Sequence, residues 1–218
     1  MKHAHISKHA QIALALAAAA LAAGCANPQR SRDLANPNVP AIVLAQQVCS
    51  NCHGVDGTSV SPNFPNLAAQ TPEYMVGQLK EFKSHGRADP AGFEYMWGIS
   101  RSLSDQQIEG LAAYFATQPA RHRQPEADAR LAEAGKAIFT DGIPAKNIPA
   151  CATCHGAQGQ GNATFPRLAN QHVDYIVKQL LVFQRTDERP KGAVMKTIVH
   201  DLTPEDVRNV AAYVQSLG

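Results

Sequence analysis

Alternating Val, Ile and Thr are scarce in this alanine-rich chain of 218 residues, so the pattern that a half-buried strand leaves in a sequence is nearly absent. The expected fold class is therefore all-α. Also lacking is an apolar run of the roughly 20 residues that a membrane-crossing helix needs. The apolar stretch from about Ile12 to Ala23 is too short for that and ends in small residues. Lys and Arg do not gather into a dense patch in either half, which excludes a nucleic-acid binder. Length alone allows one large domain or two small ones.

Lys2 and Lys8, the apolar stretch and then Gly24-Cys25 read as an export signal over residues 1–24. Ala22-Ala23-Gly24-Cys25 resembles the bacterial lipoprotein signal, with Ala22 where Leu or Val is usual. Cys25 is thus the candidate lipidated residue; cleavage near Ala26 and an uncleaved anchor helix are the alternatives. Several acyl chains on one residue would hold the chain stably on a membrane, whereas one is marginal. The expected location is the periplasm, with membrane attachment through Cys25. Without residues 1–24 the chain holds 18 basic and 18 acidic residues. Residues 25–120 carry 6 Lys/Arg against 8 Asp/Glu and residues 121–218 carry 12 against 10, so the halves have opposite formal charges of −2 and +2.

An internal repeat with an offset near 100 residues divides the chain. Cys49-Ser50-Asn51-Cys52-His53 falls on Cys151-Ala152-Thr153-Cys154-His155, and Phe64-Pro65-Asn66-Leu67-Ala68 falls on Phe165-Pro166-Arg167-Leu168-Ala169. Tyr74, Gln78, Leu79 and Phe82 meet Tyr175, Gln179, Leu180 and Phe183; Met96, Leu103 and Tyr114 meet Met195, Leu202 and Tyr213. The reading is a tether over 25–40, a first domain over 41–118, a Pro-punctuated linker over 119–127 and a second domain over 128–218. Each half should share one helical plan. Thr71-Pro72-Glu73 predicts a capped helix running to about Ser84. Ser104-Asp105-Gln106-Gln107 and Thr203-Pro204-Glu205-Asp206 predict capping boxes on the last helices, with apolar stripes Ile108, Leu111, Ala112, Phe115 and Val207, Val210, Ala211, Val214.

The paired motifs carry the chemistry. Two thiols separated by two residues on a helical turn can add to the vinyl groups of one haem, and the following histidine then sits beneath the iron, so C-x-x-C-H reads as c-type haem attachment. Cys49 and Cys52, and Cys151 and Cys154, are the attachment candidates for two covalent haems c, with His53 and His155 as axial ligands. A single zinc cage would join both pairs, but each pair sits in a complete half of its own. A thioredoxin-like disulfide would need a βαβ setting. The opposite axial ligand is expected from methionine, whose thioether raises the potential. Of four methionines, Met1 leaves with the signal and Met75 fits core packing. Met96 and Met195 align, lie in stretches read as irregular, and are the expected ligands. His85, His122, His172 and His200 have no aligned histidine and read as surface residues, with His200 close enough to Met195 to exchange with it at high pH.

Two CxxCH motifs, each followed by FPxLA, a helix, a methionine and a last helix of the "LS/TxxxIxxLAAYF" type, resemble the cytochrome c(4) family of class I dihaem cytochromes across about residues 41–218. Trp97 departs from the family pattern, in which a smaller residue or Pro follows the first methionine. The resemblance implies two cytochrome c domains packed about a pseudo-twofold, with haems close enough to exchange electrons. It also implies a periplasmic carrier rather than an enzyme, taking electrons from a donor such as a quinol-oxidising complex and feeding a terminal oxidase. The rival readings are a cytochrome subunit of a larger dehydrogenase or oxidase complex, a dihaem peroxidase with an open iron position, and a ligand sensor.

Overall fold

The computed structural model describes residues 30–122 and 125–218. The export segment and Cys25 lie outside the described residues. Among those described there is no β-strand, only the isolated bridges Ile143–Ile148 and Asn162–Phe165, and no helix long and apolar enough to cross a membrane.

In the first half, α1 (Ala41–Leu44) runs through a π-turn (Ala45–Cys49) into α2 (Ser50–His53). After a long loop come α3 (Pro72–Lys83), a second π-turn (Gly92–Met96) leading into α4 (Trp97–Ser100), and α5 (Asp105–Ala116). The second half repeats the order with α6 (Ala129–Asp141), α7 (Ala152–His155), α8 (Val173–Arg185), α9 (Ala193–Val199) and α10 (Pro204–Ser216). One difference lies before the second CxxCH. There α6 stops at Gly142, and a loop closed by the Ile143–Ile148 bridge intervenes before α7.

Both capping boxes are formed. Ser104 Oγ accepts from the Gln107 N–H, and Thr203 Oγ1 accepts from the Asp206 N–H. Thr71 differs from expectation: Pro72 occupies the first helical position, but the Thr71 hydroxyl caps nothing and is buried without a partner. All eight stripe residues of α5 and α10 are buried. They anchor two separate cores, one built on Leu44, Met75, Leu103, Ile108, Leu111 and Phe115, the other on Phe139, Ile148, Ile176, Val207, Val210 and Val214. Met75 is core filler, as its spacing implied. The first and last helices of each half cross closely over a glycine, and the halves place it on opposite partners. A Cβ on Gly110 of α5 would lie 2.6 Å from the Ala41 Cβ of α1, and one on Gly135 of α6 would lie 1.9 Å from the Asn209 carbonyl of α10. Residues 30–40, read as tether, lie along the first half: Val39 is buried, and Gln107 Nε2 donates to the Asn36 and Val39 carbonyls.

The halves meet about a pseudo-twofold made visible by matched side chains. Gln70 takes the Arg167 backbone in a two-bond clasp: its Oε1 accepts from the Arg167 N–H at 2.6 Å and its Nε2 donates to the Arg167 carbonyl at 3.0 Å. Its counterpart Gln171 treats Asn66, the counterpart of Arg167, in the same way at 2.8 and 3.0 Å. Further along, Arg87 lies over Phe82 and Arg189 over Phe183, and each guanidinium donates to both Gln78 and Gln179. The symmetry breaks at Asp89, a fully buried carboxylate that pairs with Arg87 at 2.7 Å. His172, read as a surface residue, is instead buried, and its Nε2 donates across the interface to the Ser59 carbonyl at 3.1 Å. A histidine on the helical edge of one half looks exposed until the other half covers it.

Candidate haem sites

Each CxxCH sits on a short helix that ends at its histidine. Gly54 and Gly156 follow immediately with φ of 77° and 83°, left-handed conformations that glycine adopts without steric cost and that turn the chain sharply away from the ring. A Cβ at Gly54 would also collide with the Thr58 carbonyl at 2.3 Å. The turn brings the FPxLA segment back against the histidine. His53 Nδ1 lies 2.9 Å from the Pro65 carbonyl and His155 Nδ1 lies 2.9 Å from the Pro166 carbonyl, so in both rings Nδ1–H donates and Nε2 is left as the ligating atom. Phe64 and Phe165 stand edge-on to the two rings at centroid distances of 6.2 and 6.3 Å. This gives the repeated FP pair a role that its recurrence did not reveal: the proline carbonyl selects the tautomer and the phenylalanine packs the ring.

Both histidines are buried. Burial pushes their pKa below the ordinary value, opposed by the proline carbonyl bond, so the imidazoles are neutral at neutral pH, the form that ligates iron. Burial likewise pushes the Cys49 and Cys151 thiols up to about 11, while Cys52 and Cys154 are exposed at the surface end of the motif. All four are free thiols in the protein chain, and within each pair the cysteines lie one helical turn apart. A buried neutral histidine with a free Nε2, two unpaired thiols on the adjoining turn and an apolar surround together fit a covalently held haem.

The methionine segments are helical rather than irregular. Met96 closes the π-turn that runs into α4, and Met195 lies within α9, half-buried against the second core. Gly92 and Gly98 in one half, and Pro190 and Gly192 in the other, mask these short helices in the sequence. In the first half a train of edge-on rings, His53 to Phe64 to Tyr95, links the CxxCH to the residue before Met96. Val194 stands at the position of Tyr95 in the second half. His200 is exposed, with Nδ1 2.6 Å from the Thr197 carbonyl and Nε2 3.1 Å from Asp201.

The two sites adjoin the domain interface. Pro65 and Pro166, whose carbonyls hold the histidines, directly precede Asn66 and Arg167, whose backbones are clasped from the opposite half. Whatever shifts one histidine-bearing loop therefore bears on the other half through a single peptide.

Comparison with known proteins agrees with this arrangement. The family model described as cytochrome c matches twice, over residues 42–119 and 132–218. Cytochrome c-552 of Acidithiobacillus ferridurans is 38% identical over 190 residues, covering 87% of this chain and 82% of that protein. The solved cytochrome c4 of Acidithiobacillus ferrooxidans superposes with a TM-score of 0.72 at 40% identity, covering 78% of this chain and 98% of the other. A protein of Stutzerimonas stutzeri named thiosulfate dehydrogenase electron acceptor is 32% identical, with 80% of this chain and 81% of that protein covered.

Proposed function

The chain belongs to the cytochrome c family, as a dihaem electron-transfer protein of the cytochrome c4 kind, and from that premise we propose that it is a periplasmic carrier that delivers electrons to a terminal oxidase. When bound, each haem supplies a one-electron iron couple. Cys49 and Cys52 would hold one and Cys151 and Cys154 the other, with His53 and Met96, and His155 and Met195, as the residues that would ligate the two irons. The observation that carries this reading is the duplicated histidine geometry, in which a proline carbonyl fixes Nδ1–H and leaves Nε2 to the metal in both halves.

With both histidine and methionine as ligands, neither iron would keep an open position for peroxide, which favours a carrier over a peroxidase. The opposite formal charges of the halves suit brief, electrostatically steered encounters with two unlike partners. A second reading concerns the donor. The name of the Stutzerimonas relative favours a substrate dehydrogenase over a quinol-oxidising complex as the source of electrons. The export segment supports the periplasmic location and Cys25 a lipid anchor; the intact mass of the mature N-terminus tests both, and an unmodified N-terminus at Ala26 would remove the anchor.

The decisive experiment is an oxidised and reduced absorption spectrum of the purified holoprotein and of its Met96→Ala and Met195→Ala variants. Two haems per chain are expected, low-spin and unchanged by carbon monoxide. Each variant should lose about half of the far-red methionine-to-iron band. A carbon monoxide adduct in the unsubstituted protein would point to catalysis or sensing instead.

A further inference from the structure

The two methionine segments are aligned in sequence and unlike in their support. In the first half Trp97, the residue after Met96, has two partners. The His85 ring faces it at a centroid distance of 4.3 Å and an interplanar angle of 31°, and the Arg101 guanidinium lies 5.1 Å from its ring centre. His85 holds this place with φ of 58°, a left-handed conformation disfavoured for a residue with a side chain. That conformation ends α3, with the His85 N–H donating to the Phe82 carbonyl and the Arg87 N–H to the Glu81 carbonyl, and it sets the His85 ring against Trp97. A second tie reaches the methionine itself. Ser100, fully buried, donates from Oγ to the Met96 carbonyl at 2.7 Å.

None of these four residues has a like counterpart in the second half. Lys196 follows Met195 and reaches out to the exposed Asp187 at 2.6 Å. Thr186 stands at the position of His85 with an extended φ of −138°, and Val199 replaces Ser100. His200 stands at the position of Arg101, and its ring is engaged elsewhere, with Nδ1 2.6 Å from the Thr197 carbonyl and Nε2 3.1 Å from Asp201. Met195 is thus held by its helix and by the apolar core, whereas Met96 is followed directly by a stacked indole and has a hydroxyl tie to its carbonyl.

We propose that Trp97, held by its contacts with His85 and Arg101, is a positioning residue that fixes the chain beside Met96 at the first haem, so that the first site keeps its methionine where the second gives up Met195. The consequence is an asymmetric carrier. Its first site resists exchange of the axial ligand and its second site admits it. This rests on the assignment of Met96 and Met195 as axial ligands.

The test is the binding of imidazole to the ferric holoprotein, followed through loss of the far-red methionine band. Two phases are expected. Trp97→Lys, which copies the second half, should speed the slow phase roughly tenfold and leave the fast one unchanged, the size expected for one lost aromatic stack. Trp97→Phe should restore much of the slowness, and His85→Thr should act in the same direction as Trp97→Lys without touching the segment itself. Lys196→Trp should leave the fast phase fast, since it supplies the indole without the ring that stacks on it in the first half. A slow phase unmoved by both Trp97→Lys and His85→Thr overturns the clamp. The ligand assignment fails separately: if Met96→Ala leaves the far-red band whole, Met96 is not the ligand and the clamp falls with it.

Discussion

Asp89 is buried beside two guanidiniums, and its environment decides its ionisation. Burial alone would raise its pKa, but the hydrogen bond and charge of Arg87, with the charge of Arg189 beyond, hold it below the usual carboxylate value. A depressed folded pKa contributes stability that is complete above the unfolded value of about 4 and is lost as the pH falls through the folded one. Asp89→Asn keeps the shape and leaves both arginines without a carboxylate. Removing one partner of a buried pair costs about 3–5 kcal/mol, so denaturant unfolding at neutral pH should show a loss of that order. The difference from the unsubstituted protein should shrink as the pH drops below about 4. A constant difference across that range would mean that the carboxylate charge contributes nothing.

Caps make a comparison at the level of helices. Ser104 makes its capping bond and Gln107 returns it, so Ser104→Ala should destabilise α5 by about 1 kcal/mol in thermal unfolding. Thr71 precedes α3 with the same residue-type signature but makes no cap, and its hydroxyl is buried unpaired. Thr71→Val should therefore be neutral or stabilising, since it removes a polar group with no partner. An equal loss from both substitutions would contradict the distinction. Close helix crossing follows a similar logic. Gly110 and Gly135 serve equivalent crossings from opposite helices, so the repeat preserves the approach distance and not the residue that permits it.

The two halves join through amides rather than through an apolar seam alone. Gln70 and Gln171 each make two hydrogen bonds to a backbone of the other half, one residue from the carbonyl that orients a histidine. Replacing both by Ala leaves the Asn66 and Arg167 peptides with buried N–H and C=O groups unpaired across the interface, a cost of about 1–3 kcal/mol for each. Calorimetry of the holoprotein should then resolve two unfolding transitions where the unsubstituted protein shows one. The separation of the two reduction potentials should change as well. A single unaltered transition would mean that the clasps do not couple the halves.

The residues themselves determined much of this molecule. The CxxCH pairs, the FPxLA register and the 3.6-residue stripes of α5 and α10 are local patterns whose physics acts within a few residues, and they point to two helical units with one haem site each. Short helices around Met96 and Met195 were hidden because Gly and Pro interrupt their period, and tertiary packing overrides that local preference. Only the folded chain decided that the Pro65 and Pro166 carbonyls hold the histidines, that His172 is buried, that Thr71 caps nothing and that Gln70 and Gln171 clasp opposite halves. Those facts depend on groups that are far apart in sequence, or on backbone positions that every residue possesses. A hydrogen bond to a main-chain carbonyl leaves no mark on residue identity, and so it becomes legible only once the chain has folded.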